Sequence, residues 1–433
     1  MFDKTKTPMT TKPTYTPALR FPDFLNDGEW EVKRLGEICI VNPPSKDIPN
    51  EFNYLDLESV VAGRIISCNR IKREGAPSRA QRLVQKYDVL FQMVRPYQQN
   101  NLYFLLEDGQ YVASTGYAVL RAKEGVSDSG YLYHIVHSKD FLSQVLQRCT
   151  GSNYPAINSS SLEDICVPFP PLPEQRRIAQ ALTALDELIA ATNEKLEQMK
   201  AYKKGLMQQL FVDSTGGGKS LKINYLQIPK LRFPAFYQEK EWEEKKLGEV
   251  GYTYTGLSGK DKNDFGHGDA EYITYLNVFS NPIIKQEMNL PIEIDNKQHS
   301  VQYGDVFFTT SSETPDEVGM SSVWLENKDN VYLNSFCFGY RLTEEFDYRY
   351  LSYYFRSDSF RKRMVVLAQG ISRYNISKIK AMELPIQYPT IPEQRKIASC
   401  LSAMDETINA YTEKATLLGQ YKKGLMQRMF PKQ

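Results

Sequence analysis

The sequence predicts an α/β protein made by tandem duplication: two α/β domains, each followed by a long helix, the two helices packed as an antiparallel coiled coil about a pseudo-two-fold axis. Three observations carry that reading. YKKGLMQQLF at 202–211 returns as YKKGLMQRMF at 421–430, identical at eight of ten positions. Further matches lie upstream in each copy: LRFPDFLNDGEWEVKRLGEI at 19–38 pairs with LRFPAFYQEKEWEEKKLGEV at 231–250, and PEQRRIA at 173–179 with PEQRKIA at 392–398. After each PEQR the apolar residues recur with the 4-3 spacing of a coiled-coil seam. Repeats this dense mark a duplicated structural unit. The copies are offset by 212 residues at their fronts and 219 at their backs, so the middle of the second is seven residues longer. Between the matched ends the two inserts differ greatly, which suits one frame presenting two different surfaces.

Taken in order, residues 1–18 begin MFDKTKTPMTTKPTYTP, rich in Lys, Thr and Pro without an apolar run, and are expected to form a disordered leader. The first domain spans 19–172. Within it YDVLFQMV (87–94) and YVASTGYAVLRA (111–122) read as strands, and GYLYHIVHSKDFLSQVLQRC (130–149) as a helix. The first long helix covers 173–211, with Ile178, Leu182, Leu185, Ile189, Thr192, Leu196, Met199, Lys203, Leu206 and Leu210 on its seam. Pro173 suits a first turn, where the missing N–H had no intrahelical partner. The segment 212–230, containing GGGKS, is expected to be a flexible linker. The second domain, 231–391, follows the same order, with GDVFFTT (304–310) and NVYLNSFCFGYRL (330–342) as strands and YRYLSYYFRSDSFRKRMVVL (348–367) as the helix. The second long helix, 392–430, repeats the seam as Ile397, Leu401, Met404, Ile408, Tyr411, Ala415, Leu418, Lys422, Leu425 and Met429, its lysine at the same point. A long amphipathic helix ordinarily packs on its own domain. Two matching seams in one chain make each the obvious partner of the other.

Composition narrows the function. The 53 Lys and Arg against 52 Asp and Glu give no bulk charge, so any nucleic-acid surface must come from local clustering. The six cysteines (Cys39, Cys68, Cys149, Cys166, Cys337, Cys400) lie far apart without a CxxC pair, which fits neither a disulfide framework nor a zinc site and points to reduced thiols in a cytoplasmic protein. No run of about 18 apolar residues suggests a membrane span. VNPPS at 41–45 is similar to the NPPY motif of amino-methyltransferases, but Ser45 stands at the aromatic position and no Gly-rich cofactor loop accompanies it. GGGKS at 216–220 has the tail of a P-loop, but Asp213 stands where its first glycine belongs. His134 and His137 lack an acidic or cysteine partner at ligand spacing, so no metal site is implied.

At this point the residues resemble a known family. Two EWxxxxLGE segments, two divergent inserts, two PEQRxIAxxL helix starts and two YKKGLMQ helix ends are similar to the DNA specificity subunit of type I restriction-modification systems, from about residue 19 to 430. In the first insert APSRAQRLVQKYDVLFQMVRP (76–96) is similar to the PSRA…RP stretch of many target recognition domains of that family, whereas the second has FFTTSSETP (307–315) in the corresponding place. The resemblance implies a chain without catalytic residues, cofactor or metal of its own. It also implies one target recognition domain per half-site, and partners in the form of double-stranded DNA, two modification subunits that use S-adenosylmethionine to methylate adenine, and restriction subunits that use ATP and Mg.

The residues of the inserts fit DNA reading. From Gly63 to Arg82 the chain carries Arg64, Arg70, Lys72, Arg73, Arg79 and Arg82 against the single acid Glu74, an excess that attracts phosphates. Arg95 then leads into Tyr97, Gln98, Gln99, Asn100 and Asn101, side chains suited to base edges. The segment after the helix adds Asn153 and Tyr154, and the second insert offers Ser311, Ser312, Glu313, Arg373, Tyr374 and Asn375. Each of these also fits an ordinary solvated loop. Two rival functions have their own tests: a stand-alone methyltransferase would bind S-adenosylmethionine, and a coiled-coil scaffold would show no salt-dependent DNA binding.

Overall fold

The computed structural model describes residues 14–45, 47–107, 110–212 and 228–430. Most of the expected leader and of the expected linker, with its GGGKS, lies outside these residues. The end of the leader does not: Thr14–Tyr15 is a strand paired with Trp30–Arg34, and the Tyr15 ring stacks on Trp30 at 5.8 Å. An aromatic with a buried neighbour to stack on makes strand pairing favourable there, which corrects the expectation of disorder up to residue 18.

The chain folds as two compact units, residues 1–194 with 413–433, and residues 195–412. Each unit therefore contains the start of one long helix and the end of the other. The helices run Leu172–Leu210 and Ile391–Met429, 39 residues each.

In the first unit Leu102–Tyr103, Val89–Gln92, Tyr117–Ala122 and Cys39–Val41 form an antiparallel sheet in that order. A second sheet has the order Asn69–Lys72, Glu51–Leu55, Tyr111–Ser114, Ala80–Val84, with its two central strands parallel. The expected single strand 111–122 is thus two strands in two sheets, divided at Thr115 and Gly116. The expected helix 130–149 is likewise two, Ser129–Ile135 and Lys139–Arg148, because Ser138 caps the second by accepting from the Phe141 N–H.

The second unit repeats the plan. Gly251–Thr255, Cys337–Leu342, Val306–Thr309 and Ser321–Val323 form its antiparallel sheet. Leu290–Ile292, Phe265–Ile273 and Val331–Leu333 form the other sheet, again with one parallel pair. The stretch 330–342 splits between these sheets. The stretch 348–367 splits into Tyr348–Tyr354 and Asp358–Val365, with Ser357 as the cap.

The repeated frame segments meet at the helix starts. Glu174 of the first PEQR is fully buried; it accepts from Arg20 through two hydrogen bonds of 2.8 and 2.7 Å and from the Trp30 indole at 3.0 Å. Glu393 accepts from Arg232 at 2.9 and 2.7 Å. The neighbouring glutamines hold the chain ahead of them: Gln175 donates to the Pro170 carbonyl and accepts from the Asp128 N–H, as Gln394 does with Pro389 and Asp347. The LRFP and PEQR motifs thus form a buried ion pair in each unit, joined in the first by the EW tryptophan Trp30. The helix ends seal the other side. Leu425, Met426, Met429 and Phe430 pack into the core of the first unit, and Leu206, Met207, Leu210 and Phe211 into that of the second.

Candidate nucleic-acid interface

The run of cations in the first insert does not stay together. Arg70 and Lys72 lie on the edge strand Asn69–Lys72, while Arg82 lies on Ala80–Val84, the opposite edge of the same sheet. Arg70 and Lys72 are exposed, Arg70 standing 3.6 Å from Glu51. Arg73 donates to the Ile48 carbonyl, and Arg79 is exposed just before the far edge. Arg82 is half-buried, and that burial lowers its pKa. Sequence proximity overstated this cluster because the chain crosses from one edge of the sheet to the other, leaving Glu51–Leu55 and Tyr111–Ser114 between its two ends.

A second feature is built the same way in both units. In the first, Met93–Arg95 lies beside Pro155–Ile157: Arg95 donates its N–H to the Pro155 carbonyl at 2.7 Å and Ile157 to Met93 at 3.1 Å. In the second, Thr310–Ser312 lies beside Tyr374–Ile376, with Ser311 opposite Asn375, Ser312 opposite Tyr374, and Ile376 donating to Thr310 at 3.0 Å. Each ribbon closes through a tight loop whose ends pair as Thr150 with Ala156 and Gln369 with Asn375. Gly151 (φ +91°) and Gly370 (φ +138°) open these loops in conformations that glycine alone adopts readily.

The ribbons are alike in backbone and unlike in side chains. In the first unit the Arg95 guanidinium lies 4.3 Å from the Tyr154 ring centre. Arg95 is left-handed (φ 54°), as is Gln99 (φ 52°), with the turn Pro96–Gln98 between them. Gln92 holds this turn from inside. Its amide donates to Gln98, its carbonyl oxygen accepts from the Asn100 N–H, and its own N–H donates to Asn101. Asn101 is 1 % exposed, so it supports the turn instead of facing solvent. Asn100 accepts from the Ala62 N–H, while Tyr97, Asn153 and Tyr154 are exposed. Tyr97, Gln98, Asn153 and Tyr154 are therefore the exposed candidates here, with the half-buried Arg95 packed on Tyr154.

In the second unit Ser311, Ser312, Glu313 and Arg373 line a cleft of about 360 Å³ with Tyr275, Leu276, Phe279, Glu317 and Phe336. Ser312 is buried and donates to Glu317, whereas Glu313, Arg373 and Asn375 are exposed. Sequence reading missed three residues here. Phe336 is 58 % exposed, Leu276 is 59 % exposed, and Ile371, next to Gly370, is 98 % exposed. Their signal was available only as position: Ile371 is an apolar residue at the tip of a glycine-led loop.

The catalytic-looking strings have structural work. Asn42 of VNPPS is left-handed (φ 55°), and its side chain bridges the Val119 N–H and the Ser159 hydroxyl. His134 is buried and His137 partly buried, and desolvation lowers the pKa of both. Among the described residues no cluster of three His, Cys, Asp or Glu could hold a metal ion, and no helix is long and apolar enough to cross a membrane.

Known proteins resemble this chain in sequence and in fold. The MjaVIII type I restriction enzyme specificity subunit of Methanocaldococcus jannaschii is 24 % identical over 434 residues, covering 94 % of this chain and 92 % of its own. The EcoKI specificity subunit of Escherichia coli is 24 % identical over 278 residues, covering 62 % and 57 %. Among solved structures, the type I restriction-modification S subunit of M. genitalium matches with a TM-score of 0.53 at 14 % identity over 96 % of this chain and all of its own. A chain from a type I R-M system whose assembly and conformational transition were described matches with a TM-score of 0.57 at 22 % identity, over 93 % of this chain and 98 % of its own. The family described as type I restriction modification DNA specificity domain matches twice, at residues 27–201 and 239–418. Two copies of that domain spanning most of the sequence mean that the chain belongs to the type I restriction-modification DNA specificity family.

Proposed function

We propose that the chain is the sequence-reading subunit of a type I restriction-modification complex, with 19–172 and 231–391 as target recognition domains that each read one half of a bipartite DNA target. The observation that carries this is the pair of equivalent ribbons: one backbone device, repeated, with Arg95, Tyr97 and Tyr154 on one copy and Glu313, Ile371, Arg373 and Asn375 on the other. Identical scaffolds with different polar and aromatic tips are what reading two different half-sites requires. Exposed Arg70, Lys72, Arg73 and Arg79 would hold phosphates. The chain contributes no chemistry. Double-stranded DNA, two modification subunits binding S-adenosylmethionine, and ATP- and Mg-dependent restriction subunits complete the assembly in the cytoplasm. The long helices act as a ruler between the readers, each roughly 58 Å long at about 1.5 Å per residue.

Exchange of 39–172 for the matching region of another specificity subunit tests this reading. Methylation mapping of cells carrying the chimera should show one half of the motif changed and the other kept; a change in both halves refutes independent reading. The purified chain alone should neither methylate nor cut DNA.

A further inference from the structure

The seam of each helix contains one lysine, and the structure gives both the same kind of partner. Lys422 Nζ lies 2.5 Å from Asp186 Oδ1, and Lys203 Nζ lies 2.5 Å from Asp405 Oδ1. Both lysine side chains are about four-fifths buried, 22 % and 18 % exposed. A ring from the adjoining domain closes each pair from the other side. Tyr353 donates to Asp405 Oδ2 at 2.8 Å and stands 3.2 Å from the Ser402 hydroxyl. His134 Nδ1 stands 3.9 Å from Asp186 Oδ2, near it but beyond hydrogen-bond reach, and its Nε2 is 3.1 Å from the Thr183 hydroxyl. Tyr353 and His134 occupy matching positions on Tyr348–Tyr354 and Ser129–Ile135. Each unit thus carries a three-part clasp: lysine from one helix, aspartate from the other, ring from the domain.

Both clasps demand the same alignment. In antiparallel helices the numbers of facing residues add to a constant, and 186 with 422 gives 608, as 203 with 405 does. An apolar seam alone tolerates slippage by one heptad, since another apolar residue arrives at each position. With the clasps it does not. Slippage one way sets Lys203 against Ala398 and Lys422 against Ala179, both alanines being buried; slippage the other way sets them against Thr412 and Asn193. Either way both lysines, whose side chains are about four-fifths buried, lose their counter-charge, which opposes the shift.

We propose that the Lys203–Asp405–Tyr353 and Lys422–Asp186–His134 clasps fix the register of the helix pair and so set the number of unspecified base pairs between the two half-sites. They are positioning residues for specificity that touch no DNA. The proposal rests on the ruler reading given above. One heptad of slippage displaces a helix by about 10 Å, close to three base pairs at about 3.4 Å each.

The test uses the full chain co-expressed with its modification subunits and long-read mapping of methylated sites. The Lys203→Met, Lys422→Met variant should methylate the original motif together with a second motif of the same half-sites and a spacer changed by about three base pairs. The charge-exchanged variant, Lys203→Asp and Asp405→Lys with Lys422→Asp and Asp186→Lys, should return to one spacer. A Met variant confined to the original spacer overturns the proposal. So does a charge-exchanged variant that fails to restore a single spacer, and this arm still decides if the Met variant does not fold. A four-residue insertion in both long helices separates the two readings. If it lengthens the spacer while the Met variant keeps one spacer, the clasps alone are refuted; if the insertion also leaves the spacer unchanged, the ruler falls and the clasp proposal with it.

Discussion

At the residue scale, the buried carboxylates of the two PEQR motifs are the most consequential side chains outside the ribbons. Glu174 neutralises Arg20 and also accepts from Trp30, whereas Trp242, the counterpart of Trp30, has an indole N–H without an acceptor among the described residues. Removing one partner of a buried pair costs about 3–5 kcal/mol because it strands the other. Glu174→Gln should therefore lower the unfolding midpoint by about 6–20 °C, at roughly 2–4 °C per kcal/mol for a body of this size. Glu393→Gln, which breaks no tryptophan bond, should cost less; equal losses in calorimetry would refute the asymmetry. The clasp rings supply a pH prediction. His134 is held well below its usual 6.5, chiefly by burial and then by Lys422 and His137. A histidine whose folded pKa is depressed binds fewer protons folded than unfolded, so stability is lost as pH falls below about 6.5. His134→Tyr, copying Tyr353, should leave the midpoint near pH 7.5 little changed and make its decline toward pH 5 shallower; an unaltered slope would assign the acid sensitivity to His137. Arg95→Ala should weaken binding of the assembled complex to its target by about 1–3 kcal/mol at one base position if the guanidinium reads a base, and uniformly over sequences if it holds a phosphate.

At the element scale, glycines of opposite kind make a sharper comparison than any single mutant. Gly205 and Gly424 of the repeated YKKGLMQ segments sit inside long helices, and a Cβ on either would meet nothing within 4 Å. Replacing either by Ala should stabilise the fold by about 0.5–1 kcal/mol. At Gly370 a Cβ would lie 2.0 Å from the Arg373 carbonyl oxygen, on a backbone with φ +138°. Gly370→Ala should therefore distort the loop presenting Ile371 and Arg373, and mapping of methylated sites should show the second half-site relaxed or lost while the first is kept. Elements of this kind differ in how well a sequence reveals them. The long helices were legible nearly to the residue because a 4-3 repeat over 39 positions has no strand counterpart. Their PEQR and YKKGLMQ ends were legible because they occur twice. The splitting of 111–122 and 330–342 into strands of different sheets was not, since a continuous apolar run looks the same whether or not the chain turns inside it. The short helices merged for a similar reason: Ser138 and Ser357 end one periodic stretch and cap the next without disturbing the apolar spacing. In the candidate interface the residue types were readable, but Asn101 turned inward and Arg70 and Arg82 were carried to opposite sheet edges by pairings that no local pattern encodes.

At the scale of the whole molecule, the duplication has a consequence that chain order conceals: each compact unit is finished by the last turns of the helix belonging to the other half of the sequence. The final helical turns, more than 400 residues from the start, belong to the core that contains Trp30, Leu35 and Ile38. Phe430 is almost fully buried there, its ring 5.8 Å from Tyr131, and the Leu19 N–H donates to the Arg428 carbonyl at 3.0 Å. Phe211 does the same for the second unit, 5.8 Å from both Tyr350 and Tyr354, with Leu231 donating to Gln209 at 2.9 Å. The two phenylalanines close equivalent sites and should be equally costly to truncate, at about 3–5 kcal/mol each. The damage should appear at the far end of the sequence. Phe430→Ala should speed amide exchange in Trp30–Arg34 and Ser129–Ile135, near the beginning of the chain, and leave Tyr348–Tyr354 protected. Phe211→Ala should do the reverse, exposing Tyr348–Tyr354 and sparing Ser129–Ile135. Local stability follows packing, not chain position, so exchange confined in each variant to the nearest sequence neighbours of the substituted residue would contradict the exchanged helix ends. The crossed pattern would show that the second YKKGLMQ segment exists to complete the first domain, and the first to complete the second.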